Sequence, residues 1–436
     1  MNEHLIVDGL YPDQHQAMAQ FKAWLASHHT CAGLWAGAGF GKSHMCKDFL
    51  KLLAEEYRDL DVRVASTTHA ACGALEDLIL TPVNTIHSTM KWIPSYDRVT
   101  GEEYLKTPKK SVMTSNMLIL VDEAGMLGHT ETNLLIDEAR MVGALIFFVG
   151  DHKQCYGVFK KGEEVCVPAY RASTIKITLD IPKRQTEGDY IYALSLRLRA
   201  AVDGHRLPVL QTLINPDDGK GIVHVDDIEP VMFSMFHAAK KLVDSGEDPE
   251  ALFKVKVLAF TNNKCINLNR KIRREVFGVK DSVPFIGEVL MANKSVPSPL
   301  DDGDMLLKNN EYVTVKSVEL DTVQGLSGFW LTFEENDNSV FSPKSIDALK
   351  SRLQVMAKEA KENNDWASYY RLKNGVADMR NIYAQTVNKA QGSTLKEVCV
   401  MMDNIDSCRD ESQKRRLAYT AVSRGTHKVY VEGELT

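Results

Sequence analysis

The eight residues Ala36-Gly37-Ala38-Gly39-Phe40-Gly41-Lys42-Ser43 constrain this chain more than any other feature. They follow a short apolar run, Ala32 to Trp35, and lead into a segment from Lys42 to about Leu53 whose spacing predicts a helix. Strand, glycine-rich turn and helix in that order place a cradle of backbone amides at a helix N-terminus, which holds phosphate without any large side chain. In such a loop Lys42 reaches the β- and γ-phosphates of a nucleotide and Ser43 ligates Mg2+. The first position of the pattern is usually Gly and here is Ala36, which needs negative φ, so a slightly altered loop is expected. The plain alternative is an ordinary glycine-rich turn.

Further apolar runs at Val62–Ala65, Met117–Val121 and Leu145–Val149 lack polar alternation, as expected for parallel strands covered on both faces. The first 180 or so residues therefore read as a doubly wound α/β domain. Asp122 and Glu123 close the second of these runs. Asp122 is placed to hold Mg2+ through water and Glu123 to orient and deprotonate an attacking water. Gln154, in Gly150-Asp151-His152-Lys153-Gln154 after the third run, carries a neutral amide able to bond a γ-phosphate or that water.

Composition narrows the classes without choosing among them. With 44% hydrophobic and 25% charged residues, disorder and fibrous repeats are excluded. The net charge of −6 is too mild to advertise a polyanion partner or to exclude one, so any nucleic-acid contact must be local. Eight scattered cysteines without a Cys-x-x-Cys pair support neither a zinc cluster nor a disulfide framework. No leader precedes them, and the longest apolar run, Met141–Gly150, is about half of a membrane span, so a reducing, cytoplasmic compartment and no membrane are expected.

The rest of the chain is organised around a second α/β set, Val255–Phe260, Val398–Met402 and Val429–Val431. Two segments interrupt the pattern. His87 to Asn116, with Pro94, Pro108, Trp92, Tyr96 and Tyr104, is too long for an αβ connection and reads as a small β-hairpin. Val283 to Phe333 alternates as strands do, then Ile346, Leu349, Leu353, Met356 and Ala360 follow helical spacing, with a second short helix around Trp366, Tyr369 and Val376. This predicts a small barrel-like β module with an αα-hairpin beside it. The basic groups Arg270, Lys271, Arg273, Arg274 and Lys414, Arg415, Arg416 read either as phosphate contacts or as solvated helix faces.

The order of these motifs resembles the RecD-like branch of superfamily 1 DNA helicases, in its T-even bacteriophage form, along nearly the whole chain. Leu10-Tyr11-Pro12-Asp13-Gln14 resembles the Q motif, whose glutamine, Gln14, reads adenine. Val64–Ala71 resembles motif Ia and Asn84–Ser88 the element after it; both contact single-stranded DNA in the family, which implies DNA-binding roles for Thr68, His69, Thr85 and His87. Leu179–Gln185 is similar to motif IV, with Arg184 reaching the γ-phosphate. Gln385–Ser393 is similar to motif V, implying strand contacts by Thr386 and Asn388 and a nucleotide-side glycine, Gly392. Ala418–Gly425 is similar to motif VI, with a second arginine, Arg424. Thr67 stands where the family has Pro and Asn388 where it has His, which leaves the strand contacts at those points open.

The resemblance implies two RecA-like domains, residues 1–88 with 116–185 and residues 186–280 with 379–436, carrying a hairpin insertion at 89–115 and a β module with helices at 281–378. It further implies ATP and Mg2+ as cofactors, catalysis by Lys42, Glu123, Gln154, Arg184 and Arg424, and nucleotide contacts along Gly37 to Ser43. Substrates would be single-stranded and forked duplex DNA, with travel 5′ to 3′ and an aromatic pin at the fork, for which Tyr104 is the candidate; Tyr104 reads equally as an exposed loop tyrosine. A monomer is expected, with a single-stranded-DNA-binding protein or replication and recombination proteins as candidate partners. The alternative from another class is a DNA-stimulated ATPase that displaces bound proteins with little unwinding. A kinase is disfavoured by the second α/β domain, and a nuclease by the lack of a second carboxylate cluster.

Overall fold

A computed structural model describes residues 10–157, 163–181, 189–298 and 305–435. The chain forms two compact units, one of residues 1–90, 110–268 and 383–436 and the other of residues 91–109 and 269–382.

The first unit holds two six-stranded sheets. One runs, in spatial order, Asn84–Thr85, Asp61–Ser66, Met117–Asp122, Leu145–Gly150, Cys31–Trp35, Ile175–Thr178, parallel throughout. Its central strands are buried along their whole length, as the unbroken apolar runs require. The helices Pro12–Leu25 and Lys42–Glu56 cover one face by aromatic packing. Phe21 stacks on Phe49 at 4.1 Å between ring centroids, and Phe147 of the sheet meets both rings edge-on at 4.8 and 5.4 Å.

The second sheet runs Ala384–Thr386, Val255–Ala259, Leu395–Met401, Gly425–Glu432, Gly221–Val225, Leu213–Ile214 and is parallel except for the last pair. Leu258, Val398, Val400, Val429 and Val431 form its core with Leu417, Tyr419 and Val422 of the helix Glu411–Val422. In both sheets the chain leaves each parallel strand at the same edge, where ligands of open α/β sheets bind. The fold is thus α/β, two RecA-like parallel-sheet halves.

The second unit is antiparallel. Five strands order as Ser339–Pro343, Leu326–Phe333, Tyr312–Val323, Val289–Ala292, Met379–Asn381, with a two-stranded ladder of Val296–Pro297 and Met305–Leu307. The helices Ile346–Asn363 and Ala367–Gly375 pack on it through Leu349, Met356, Leu372 and Phe341. The hairpin Ile93–Tyr96 and Glu103–Lys106 joins this unit although its sequence interrupts the first sheet. Tyr96 stacks on Tyr370 at 3.8 Å, the Tyr370 hydroxyl donates to the Gly101 carbonyl at 2.7 Å, and Lys373 pairs with Glu103. Gly101, at φ +74°, lies against the Trp366 ring, where a Cβ would come within 2.4 Å.

The basic run at the end of helix Asn262–Phe277 does not present a uniform solvated or phosphate-binding face. Arg273 is buried, donates Nε and Nη2 to the carboxylate of Glu288 at 2.8 and 3.0 Å, and caps the carbonyls of Asp281 and Val283. Removing Glu288 would leave an uncompensated buried cation, which typically costs ~3–5 kcal/mol, whereas an exposed pair is worth ~1 kcal/mol or less. In urea unfolding, Glu288→Ala is expected to lose several kcal/mol from the unit that holds it, and Lys316→Ala, which breaks the exposed pair with Asp337, to fall within ~0.5 kcal/mol of wild type.

Candidate nucleotide and strand-binding site

The glycine-rich loop turns at Gly39 and Gly41, both left-handed at φ 82° and 88°, and Gly41 caps the helix Lys42–Glu56. Ala36 causes no strain. It is absent from the positive-φ residues, and its N–H donates to the Gly150 carbonyl at 3.1 Å, extending the ladder of strand Cys31–Trp35 by one residue. The altered loop expected from Ala36 is therefore not seen at this position. Lys42 Nζ donates to the carbonyls of Ala36 and Gly37 at 2.9 and 3.1 Å, which points the ammonium across the loop.

A cavity of about 260 Å3 opens against this loop and brings together Ala38, Gly39, Lys42, Ser43, Asp122, Glu123, Gln154, Gly392 and Arg424. A second cavity of about 960 Å3 adjoins it, lined by Tyr11, Gln14, Gly37, Gly41 and Ser43. Phe40 is buried in the first core. Gln14 is buried, and its Oε1 accepts from the Tyr11 N–H at 3.0 Å. The two sheets contribute opposite walls: the loop and carboxylates from one, Gly392 and Arg424 from the other. Gly392 sits at φ +80°, and a Cβ there would lie 3.3 Å from that of Ala71. Arg424 is only 7% exposed and is aligned by the Thr420 and Ser393 carbonyls and the Ser423 hydroxyl. Arg184 lies outside the described residues.

The strand-side candidates follow the carboxyl ends of parallel strands. Thr68 caps the helix His69–Ile79 by accepting from the Ala71 N–H at 3.2 Å; the His69 side chain lies outside the described residues. Thr85 ends the edge strand and accepts from Ser88 N–H, and His87 follows in the short helix Ile86–Met90. Burial depresses the His87 imidazole below the ordinary histidine value against the opposing pull of Glu131, so it stays neutral at pH 7. Thr386 ends strand Ala384–Thr386, and Asn388 Nδ2 donates to the Tyr156 carbonyl at 3.4 Å. Thr67 donates to the Glu123 carbonyl at 3.4 Å, so this departure from the family pattern is engaged with the carboxylate strand. Tyr104 pairs with Ser95 on the opposite face of its hairpin from Tyr96, and is 50% exposed.

Several contacts across the cleft were not read from sequence. The Asp151–Tyr156 loop follows a strand of the first sheet, yet its bonds go to the second. Thr420 Oγ1 accepts from Cys155 N–H at 3.1 Å, Gln391 Nε2 donates to the Cys155 carbonyl at 3.3 Å, and Arg416 donates to the carbonyls of His152 and Gln154 while its guanidinium covers Tyr156 at 4.1 Å. Lys414–Arg416 is thus neither a phosphate patch nor a solvated face: Lys414 is 6% exposed and Arg415 donates to the Ala201 carbonyl. The periodicity of Glu411–Val422 carried that signal; nothing in the sequence marked Arg199, which lies against Gly37 and Phe40.

Asp122 and Glu123 carry the site's strain. Glu123 holds φ at 50°, a conformation side chains adopt at a cost of ~1–3 kcal/mol. Burial first, and the neighbouring Glu123 charge second, raise the Asp122 carboxyl to about 7, with Lys42 pulling the other way. A carboxyl whose folded value exceeds its unfolded one binds more protons when folded, so ionising it destabilises the fold. That penalty is absent below pH ~4 and complete above pH ~7. Melting with chelator and without nucleotide is expected to find Asp122→Asn more stable than wild type at pH 8, with the gain vanishing toward pH 4; equal melting temperatures at pH 8 would show the carboxylate is not penalised.

Known proteins place this geometry. Residues 9–212 match a family described as an AAA domain, and residues 381–431 a UvrD-like helicase C-terminal domain. The chain is 22% identical over 442 aligned positions to the ATP-dependent DNA helicase dda of Enterobacteria phage T4, covering 90% of this chain and 92% of that one. Its fold matches a Pif1 helicase, from a structure of two coordinating Pif1 helicases at forked duplex DNA, with a TM-score of 0.52 at 14% identity over 98% of this chain and 93% of that one. An N-terminal AAA match, a helicase C-terminal match and a phage helicase aligned nearly end to end agree in order and extent, and the chain is an ATP-dependent DNA helicase similar to Dda along nearly its whole length.

Proposed function

We propose that this ATP-dependent DNA helicase travels 5′ to 3′ along one strand and parts the duplex ahead of it. One observation carries the reading: the cleft whose phosphate loop and carboxylates belong to one parallel sheet and whose Arg424 and Gly392 belong to the other. A nucleotide in that cleft would be touched from both sides, so its γ-phosphate would hold the halves together and its loss would release them.

In this reading Lys42 and the amides from Gly37 to Ser43 hold the phosphates and Gln14 the base. Glu123 takes the proton of the attacking water, Gln154 orients that water, and Arg424 with Arg184 faces the charge that develops on the γ-phosphate. Ser43 and Asp122 offer a hydroxyl and a carboxylate, the hard oxygen donors that Mg2+ accepts beside phosphate oxygens and water, and the ion would neutralise phosphate charge there. Thr68, His69, Thr85 and His87 on one half and Thr386 and Asn388 on the other would grip the strand in alternation. Tyr104 would stack on a base at the fork. The domain limits read from sequence are part of this proposal, as are monomeric action and recruitment by a single-stranded-DNA-binding protein or replication and recombination proteins.

The test uses partial duplexes with a 5′ or a 3′ single-stranded tail. The wild type is expected to open only the 5′-tailed one with ATP, Lys42→Ala neither, and Tyr104→Ala to open it several-fold more slowly at unchanged DNA-stimulated ATPase, since one stacked base is worth ~1–3 kcal/mol. Opening of only the 3′-tailed duplex would reverse the polarity. Hydrolysis stimulated by single-stranded DNA with neither duplex opened would make protein displacement the better reading.

A further inference from the structure

Beside the phosphate loop, two residues of the second sheet's helices reach the first. The Tyr419 hydroxyl, on helix Glu411–Val422, accepts from the Ala38 N–H at 3.0 Å and donates to Asp151 Oδ2 at 2.7 Å. Arg199, on helix Tyr190–Val202, brings Nη2 within 3.5 Å of Asp151 Oδ1 and lays its guanidinium 5.6 Å from the Phe40 ring centre. The approach to Gly37 is close: a Cβ there would lie 2.8 Å from Arg199 Nε and 2.8 Å from the Phe40 ring, so either side chain would have to shift. The Asp151 carboxylate is fully buried and the Arg199 side chain is 17% exposed. A third bond, from the Lys153 N–H at 3.0 Å, completes its shell.

These contacts join the loop to the opposite half without passing through the nucleotide. Were the halves to separate, the Ala38 N–H would lose its partner and the Asp151 carboxylate would keep only the Lys153 N–H, and each loss carries a desolvation cost unless water replaces it. These bonds to the loop are therefore made only while the halves are closed.

We propose that Tyr419 and Arg199 are positioning residues for hydrolysis, which set the phosphate loop only in the closed arrangement and so make ATP turnover depend on a DNA strand held by both halves. The inference rests on the helicase reading above and goes beyond it, since neither residue touches the reacting atoms. The charge balance fits: burial alone would raise the Asp151 carboxyl, but the charges of Arg199 and Lys42, then the bonds from Tyr419 and the Lys153 amide, hold it below the ordinary aspartate value. Taking away Tyr419 or Arg199 removes part of that hold, so protonation of Asp151 reaches higher pH.

The full chain is assayed for steady-state ATPase with and without oligothymidylate, as wild type, Tyr419→Phe, Arg199→Met, Arg199→Lys and the Tyr419→Phe/Arg199→Met pair. Each of Tyr419→Phe and Arg199→Met is expected to lower the DNA-stimulated kcat about tenfold, the size of one lost buried bond, with KM for ATP within about threefold. The pair should lose about as much as either alone, because the two act on one carboxylate. The acid limb of the stimulated rate should move to higher pH, and Arg199→Lys should recover part of the loss. Stimulated kcat within about twofold of wild type in both variants overturns the proposal. So does a loss of equal proportion with and without DNA, or a variant that fails to fold by circular dichroism while its partner variant is unaffected. A wild-type chain whose ATPase ignores DNA sinks the motor reading itself, a result distinguishable from these.

Discussion

The cleft depends on one buried carboxylate. Asp151 follows the apolar strand Leu145–Gly150, so chain connectivity alone commits it to the edge where the first sheet binds its ligands. A carboxylate there, cut off from water, persists only if others supply charge and hydrogen bonds, and these come largely from the second half: Arg199, the Tyr419 hydroxyl and, from its own loop, the Lys153 amide. The loop after it is held in the same way, by Thr420 and Gln391 at Cys155 and by Arg416 at Gln154. By sequence the segment belongs to one sheet; by hydrogen bonding it belongs to the other. A residue on it, Gln154, 4% exposed and facing the cavity, therefore cannot move without disturbing the second half.

The neighbouring strand end of the same sheet is arranged differently. At Asp122 and Glu123 the fold accepts a penalty, two adjacent carboxylates at the end of a buried strand, one in a left-handed backbone conformation and the other raised toward neutrality. A cation bound beside Lys42 and Ser43 would offset that penalty, whereas a phosphate alone would add to it. The two strand ends thus divide the labour: Asp151 is satisfied by protein alone and ties the halves together, while Asp122 leaves an electrostatic demand that a cation would meet.

Much of this was legible in the chain. The runs Met117–Val121 and Leu145–Val149 lie within strands of the first sheet because unbroken apolar stretches of that length suit strands covered on both faces, whereas Val62–Ala65 forms its strand with Arg63 exposed and only its second half buried. The glycine loop, Asp122, Glu123, Gln154 and Arg424 stand at one cavity because each follows or precedes such an element. What the chain concealed was pairing over distance. Arg273 sits in a run of four basic residues and differs from its neighbours only by facing Glu288, which spacing cannot reveal. Arg199 meets Gly37 across 162 positions, an approach decided by how two sheets close, and Ala36 sits comfortably because it continues a ladder whose partner, Gly150, lies far along the chain.

The hairpin at residues 93–106 makes the same point from the other direction. A two-stranded ribbon is marginal in water by itself, so its order must come from what it packs on. That support comes from residues some 270 positions away: Tyr370 stacked on Tyr96 and bonded to Gly101, Lys373 paired with Glu103, and Asp365 paired with Arg98 at 3.1 Å. Alternation then does the rest. With Tyr96 turned into the docked face, the two-residue period of the pleat turns the Ser95–Tyr104 pair outward, leaving an aromatic ring exposed on a ribbon whose other side is clamped. An exposed aromatic at the end of a floppy loop would lose most of its stacking energy to ordering, whereas one carried on a clamped ribbon has that ordering already supplied by the docked face.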